Sequence, residues 1–77
     1  MKEVDPMQNS EFPKQLRKLR EREGMSRRVL SELCGLSKNS IARYERGERV
    51  PDIHTAMALA EFFEVSLDDL CGRKINF

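Results

Sequence analysis

Between residues 38 and 43 the chain places a lysine, an asparagine, a small alanine and an arginine at spacings that one helix brings to one side. An asparagine amide can form two hydrogen bonds with adenine, and an arginine guanidinium can form two with guanine. A lysine reaches either a guanine or a phosphate, and an alanine permits close approach to a thymine methyl. Taken singly, each is an ordinary exposed residue; together they predict contact with DNA base edges through Lys38, Asn39, Ala42 and Arg43.

The other side of the same predicted helix is different in character. A rotation of about 100° per residue places Ile41 and Tyr44 there, together with Ser40 and Glu45. The two large apolar residues are expected to pack on the protein, which directs the polar side outward.

A second set of residues is suited to phosphate. Arg27 and Arg28 fall in the first turn of a predicted helix, where the helix dipole disfavours each cation by about 0.3–1 kcal/mol. A bound phosphate reverses that cost, because helix N-termini and arginines both bind phosphate; the alternative is that the two arginines are merely tolerated. Basic residues beside the Gly47 turn extend the set by the same electrostatic argument. The predicted phosphate contacts are Arg27, Arg28, Ser40, Arg46 and Arg49.

The residues do not indicate catalysis or a bound cofactor. The sequence contains no evident nucleophile–base pair, paired acids or metal-ligand cluster, so we expect no enzyme and no metal. Cys34 and Cys71 are widely spaced, as free thiols of a reducing compartment would be, and His54 stands alone. No apolar stretch approaches the roughly 20 residues of a membrane span, and no signal peptide is evident. We therefore expect a cytoplasmic protein.

Five predicted helices, without a strand, must position these side chains, which makes the fold class all-α. Serine or aspartate precedes each helix as a potential N-cap: Ser10, Ser26, Ser37, Asp52 and Ser66. Glycines are expected to end the first, second, third and fifth helices, at Gly24, Gly35, Gly47 and Gly72. Only the four residues from Cys34 to Ser37 separate the second helix from the third, so residues 27–47 read as a helix-turn-helix.

Apolar residues at helical spacing predict the buried faces. In the second helix they are Val29, Leu30 and Leu33, and in the fourth they are Ile53, Ala56, Met57, Ala60 and Phe63. Phe12, Tyr44 and Phe63 are expected core residues. Arg20 and Glu45 are expected to form a structural ion pair that holds the third helix against the first.

The 77 residues suffice for one domain. We predict a flexible arm at residues 1–9, a DNA-binding domain at 10–72 and a short tail at 73–77. Charge is unevenly distributed, because residues 13–49 carry eleven Lys or Arg against five Glu, whereas the segments on either side are net acidic. A basic centre is expected where one face meets a polyanion, although a solvated charged surface gives the same pattern.

The segment SRRVLSELCGLSKNSIARYERGERVPD resembles the helix-turn-helix of the lambda-repressor and Cro-like (XRE-type) family of phage and bacterial regulators. The similarity extends from LRKLREREG to VSLDDL, roughly residues 12–71. It implies a five-helix DNA-binding domain that binds operators as a dimer. By motif position, Arg27 matches a DNA-contacting site at the start of the second helix, and Lys38, Asn39 and Arg43 match the principal base-reading sites. Arg20 and Glu45 match the family's structural arginine and glutamate.

The sequence departs from the family pattern at four positions. Arg27 replaces a frequent glutamine and Val29 a polar residue. Ser31 stands where a small alanine is common, and Glu64 where a glycine often follows the fourth helix. The first departure bears on which group Arg27 contacts, and the others on packing and capping.

These observations predict a transcription regulator that binds an approximately palindromic operator as a homodimer and blocks or recruits RNA polymerase. Two reading helices would then lie about 34 Å apart, one turn of DNA. An apolar patch of Phe62, Leu70, Ile75 and Phe77 is the expected dimer surface, although Phe62 is equally suited to lie under the tail. The alternative function is an antitoxin or other protein-interaction module, which would be marked by a long foldable tail.

Overall fold

A computed structural model describes residues 11–72 of the chain. Within that range it contains five α-helices and no strand, as predicted. In chain order they are α1 (Phe12–Arg22), α2 (Arg27–Leu33), α3 (Ser40–Glu45), α4 (Ile53–Phe63) and α5 (Leu67–Cys71). Helix α1 packs against α3 and α5, α2 packs against α3, and α4 packs against α5. None of these helices has the length and apolar composition required to cross a membrane.

One apolar core holds the five helices together. Phe12 and Tyr44 pack with ring centroids 6.2 Å apart, which joins α1 to α3. Leu30, Leu59 and Leu70 bring α2, α4 and α5 into the same core, and all three are fully buried. Phe12, Tyr44 and Phe63 are core residues as predicted.

Three of the expected N-caps are present as hydrogen bonds. The Val29 N–H donates to Ser26 Oγ over 3.0 Å, the Thr55 N–H to Asp52 Oδ1 over 2.8 Å, and the Asp69 N–H to Ser66 Oγ over 3.0 Å. Each cap satisfies a backbone donor that the first turn of a helix leaves without an intrahelical partner. The predicted cap Ser10 lies outside the described residues.

The predicted buried faces of α2 and α4 are only partly correct. Leu30 is buried, whereas Val29 and Leu33 are exposed. In α4, Ile53 and Met57 are exposed, and the buried face consists of Ala56, Leu59, Ala60 and Phe63. Both helices carry more apolar residues than their neighbours cover, so helical spacing alone does not identify the buried ones.

The predicted dimer patch is also wrong in part. Leu70 has no exposed surface, because α5 packs against α1 and α4. Phe62 is half-buried and lies edge-on to Phe63, with ring centroids 5.1 Å apart. Ile75 and Phe77 lie outside the described residues. The described part of the chain therefore does not present this group as one exposed patch.

Candidate nucleic-acid interface

Helix α3 begins later than predicted. Its first helical residue is Ser40 and its last is Glu45, so Lys38 and Asn39 lie in the turn before it. Ser37 does not cap the helix through its side chain; its hydroxyl is instead 2.8 Å from Ser40 Oγ, and its carbonyl accepts from the Ser40 N–H over 3.0 Å. Two of the predicted base-reading residues thus precede the helix, and Ala42 and Arg43 lie within it.

The inner side of α3 is fixed by burial. Ser40, Ile41 and Tyr44 are all buried, on the side that the helical projection predicted. The outer side is accessible, since Lys38, Asn39 and Arg43 are exposed and Ala42 is half-buried. This division leaves the polar residues at the surface of a helix that cannot rotate without exposing its apolar side.

The ion pair expected between Arg20 and Glu45 is present. Arg20 donates from Nε to Glu45 Oε2 over 2.6 Å and from Nη2 to Oε1 over 3.1 Å. A third bond runs from Arg20 Nη1 to the Met25 carbonyl over 2.8 Å. Only 12% of the Arg20 side chain and 4% of the Glu45 side chain are exposed. Hydrogen bonding to Glu45 raises the pKa of Arg20. The two hydrogen bonds between the side chains anchor the end of α3 to α1.

Four cations of the predicted interface are exposed without an ion-pair partner among residues 11–72. Arg27 is the first residue of α2, and Lys38 lies in the turn before α3. Arg43 lies within α3, and Arg49 follows the Gly47 turn. Their charges are available to a ligand.

Two other predicted phosphate contacts carry intramolecular partners. Arg28 Nε lies 3.3 Å from Glu32 Oε1 on the surface of α2. Arg46 donates to both carboxylate oxygens of Glu48, over 2.8 and 3.2 Å. The hydrogen bonds from Arg46, with a smaller contribution from the charge of Arg43, hold the pKa of Glu48 below its ordinary value. A phosphate must therefore compete with a carboxylate for Arg46.

Ser40 is placed differently from the other predicted phosphate contacts. Its residue surface is 6% exposed, and its hydroxyl is paired with that of Ser37. The arrangement does not favour a phosphate contact through this side chain.

Two residues that the sequence reasoning did not assign to the interface bear on it directly. Ser31 lies inside α2 and connects it to α3 by one hydrogen bond, and Glu48 partners Arg46. In the sequence, Ser31 was marked only as a departure from a common small alanine, because its bond to α3 crosses between two helices. The second was marked by a glutamate two residues after an arginine.

The thiol of Cys34 lies in the turn between α2 and α3. Burial raises its pKa, which keeps it protonated and weakly nucleophilic. Among residues 11–72, no group of three or more His, Cys, Asp or Glu side chains is arranged to hold a metal ion.

A model of the HTH_3 family, described as helix-turn-helix, matches residues 16–70. A Pyrococcus furiosus protein named as an HTH-type transcriptional regulatory protein is 44% identical over 52 residues, which are 68% of this chain and 16% of that protein. The HTH-type transcriptional regulator AnsR of Bacillus subtilis is 34% identical over 59 residues, 77% of this chain and 51% of AnsR. The chain thus spans about half or less of the length of these relatives.

The fold is also similar to that of solved regulators. The restriction-modification controller protein C.AhdI from Aeromonas hydrophila superimposes with a TM-score of 0.70 at 30% sequence identity, covering 79% of this chain and 88% of that one. The similarity therefore extends over most of both chains.

Proposed function

Because the chain belongs to the HTH_3 helix-turn-helix family of the XRE type, we propose that it regulates transcription by recognising a specific sequence of double-stranded DNA. The second helix of such a unit enters the major groove, which is about 12 Å wide. In this chain α3 and the turn before it take that role. The cytoplasmic location predicted from the sequence belongs to the same proposal.

Base recognition is assigned to the exposed side of α3 and its preceding turn. Asn39 presents an amide to adenine, Arg43 a guanidinium to guanine, and Lys38 an ammonium to guanine or phosphate. The small side chain of Ala42 permits close approach of a base between them. The observation that carries the proposal is that Asn39 and Arg43 are exposed, without a side-chain cap at Asn39 or an ion pair at Arg43, on a helix whose opposite side is buried.

Phosphate contact is assigned to the cations around that surface. Arg27 begins α2, where the helix dipole and free N–H groups favour an anion. Arg49 extends the basic surface beyond the Gly47 turn, and Arg28 and Arg46 join when they leave their carboxylate partners. These contacts set the position of the domain on the duplex without reading its sequence.

We assign a homodimer to the bound state. Two chains related by a two-fold axis would read the halves of an approximately palindromic operator, with their reading helices about 34 Å apart. Occupancy of such a site then blocks or recruits RNA polymerase according to its place in the promoter.

Selection of bound duplexes from random DNA by the purified chain tests the proposal. We expect one recovered motif with two-fold symmetry, and a stoichiometry of two chains per duplex. Asn39→Ala and Arg43→Ala should each lose preference at particular base pairs, by about 1–3 kcal/mol. Lys14→Ala, which removes an exposed charge from α1, is the control and should select the same motif. Recovery of no motif at moderate salt, or of the same motif by Asn39→Ala and Arg43→Ala, would contradict base reading by these residues.

A further inference from the structure

The N-terminus of α3 has an unusual cap. A helix leaves its first N–H groups without intrahelical partners, and the side chain of the N-cap residue commonly accepts from one of them. Asn39 occupies the N-cap position of α3 but forms no such bond. Its amide is therefore not consumed in capping.

The missing cap is supplied from the neighbouring helix. Ser31, in α2, has no exposed surface, and its Oγ accepts from the Ile41 N–H over 3.2 Å. The same hydroxyl donates to the Arg27 carbonyl over 3.0 Å. Since its one proton is directed at Arg27, a lone pair is left for Ile41, and the hydroxyl has a fixed orientation.

This hydroxyl joins the two parts of the proposed DNA surface. On one side of it is the backbone of Arg27, assigned to phosphate; on the other is the first turn of α3, assigned to bases. The Ser31 carbonyl forms a further bond with the turn that leads into α3, because it accepts from the Leu36 N–H over 2.8 Å. The backbone bond does not involve the side chain of residue 31, so the hydroxyl is the part of the joint that a substitution such as Ser31→Ala removes.

We propose that Ser31 is a positioning residue for DNA recognition: by capping α3 from α2 it sets the place of the reading helix relative to Arg27 and leaves the Asn39 amide free for a base. The inference rests on the proposed function. Without the hydroxyl, the buried Ile41 N–H has lost its partner. Asn39 already occupies the N-cap position of α3, and asparagine is a residue type whose side chain commonly caps a helix. An Asn39 side chain recruited as the cap is withdrawn from the DNA.

The test uses Ser31→Ala, Asn39→Ala and the double variant, measured on the selected operator and on the same operator changed at the base pair that Asn39→Ala no longer distinguishes. We expect Ser31→Ala to reduce discrimination at that base pair by about ten-fold. Affinity for unrelated duplex should stay within about two-fold, because phosphate contacts do not depend on the Asn39 amide. In the Asn39→Ala background, Ser31→Ala should have little further effect on that base pair.

Ser66→Ala is the matched control. It also removes a serine hydroxyl that caps a helix, but the helix is α5 and the bond is to the Asp69 N–H. It should lower the melting temperature without changing base discrimination. All binding is measured below the melting temperature of the least stable variant.

Hydrogen exchange of the Ile41 amide provides a readout independent of DNA. The wild-type amide should exchange slowly, and Ser31→Ala should accelerate it, whereas Ser66→Ala should not. Unchanged exchange in Ser31→Ala, or faster exchange with full discrimination at the Asn39 base pair, overturns the positioning role. If the wild-type chain selects no DNA sequence, the proposed function fails first, and the positioning role fails with it.

Discussion

Arg27 and Arg46 are both arginines of the basic central segment, yet their surroundings give them different capacities for DNA. Arg27 is exposed at the start of α2 and has no ion-pair partner among the described residues, whereas Arg46 is held by Glu48. An exposed ion pair contributes little to folding, roughly 0–1 kcal/mol, but it still lowers the charge presented to a phosphate. The number of arginines therefore overestimates the number of phosphate contacts made without rearrangement.

Replacing Arg27 should weaken binding to all duplexes alike. One phosphate contact accounts for about one unit of the slope of log affinity against log salt, because binding releases the counterion of that phosphate. We expect Arg27→Ala to lower the slope by about 1 unit and to leave the selected motif unchanged. Titrations over a range of salt concentrations measure both quantities. Arg17→Ala, which removes an exposed arginine of α1, is the control, and a slope for Arg27→Ala equal to that of the wild type would argue against the phosphate contact.

Replacing Glu48 should have the opposite effect. Glu48→Gln removes the negative charge that competes with phosphate for Arg46 and that also lies within the field of Arg43. We expect affinity for operator and unrelated duplex to rise together, by about two- to five-fold at low salt, with the gain shrinking as salt increases. Filter binding or fluorescence anisotropy measures the change. Glu61→Gln, at an exposed position of α4, is the charge-matched control, and an equal gain in that variant would assign the effect to net charge alone.

At the scale of elements, α3 is too short to maintain its position by itself. Six residues form fewer than two turns, and isolated helices below about 12 residues are marginal in water. Its contacts compensate: the core holds Ile41 and Tyr44, Ser31 caps the first turn, and Arg20 holds Glu45 at the last residue. The helix is therefore fixed at both ends by residues of other helices.

The Arg20–Glu45 pair should be important for stability when only one partner is removed. Arg20→Met leaves the carboxylate of Glu45, 4% exposed, without its cation, and we expect a loss of about 3 kcal/mol in the free energy of unfolding. The double variant with Glu45→Met should recover most of that loss, since no buried charge remains. Urea unfolding of the four proteins of the cycle measures the coupling. Arg17→Met, whose partner Glu21 is exposed, should cost less than about 0.5 kcal/mol; a similarly small cost for Arg20→Met would refute the role of the pair.

The presence of the helices and most of their N-caps could be predicted from the sequence, because both depend on residues that are close together in the chain. Ser26, Asp52 and Ser66 each accept from an N–H three residues later, so the relevant partners are visible in sequence. Ser37 has the same local pattern but fails, because its hydroxyl is engaged by Ser40 and the cap of α3 comes from Ser31. A cap that reaches across from another helix has no local signature.

The choice of buried apolar residues was less predictable, because it depends on which neighbours cover a helix. Val29 and Leu33 have the spacing of a buried face but remain exposed, whereas Leu70 was assigned to a surface and is fully buried. Side-chain periodicity identifies an apolar side of a helix without showing which part of that side another helix reaches. The end of α4 is a separate case. Glu64 adopts the left-handed conformation there (φ 57°), at a position where glycine is common in the family.

At the scale of the whole molecule, basic and acidic residues lie in different parts of the chain. Residues 13–49 contain eleven of the 14 lysine and arginine residues, while residues 50–72 contain five acidic residues and neither lysine nor arginine. A polyanion attracts one part of such a molecule and repels the other. The charge distribution thus favours approach of a polyanion to the basic part of the domain, which includes the proposed DNA surface on α2 and α3.

The closure of the domain depends on contact between its first and last described elements. Gly72 ends α5 with φ +71°, and a Cβ at this position would lie 2.7 Å from Glu11 Cβ, immediately before α1. Gly24 has nearly the same backbone, with φ +68°, but a Cβ there would meet nothing within 4 Å. The two glycines therefore separate the cost of a left-handed backbone from the cost of a tertiary collision.

We expect Gly24→Ala to lower the free energy of unfolding by about 1 kcal/mol, from backbone strain alone. Gly72→Ala should lower it by about 2–4 kcal/mol, because α1 and α5 must also move apart. Adding Glu11→Gly removes the colliding Cβ and should return the Gly72→Ala protein to about the stability of Gly24→Ala. Thermal and urea unfolding measure all four proteins. Equal losses in the two single alanine variants would show that the close approach of Gly72 to Glu11 does not hold α1 and α5 together.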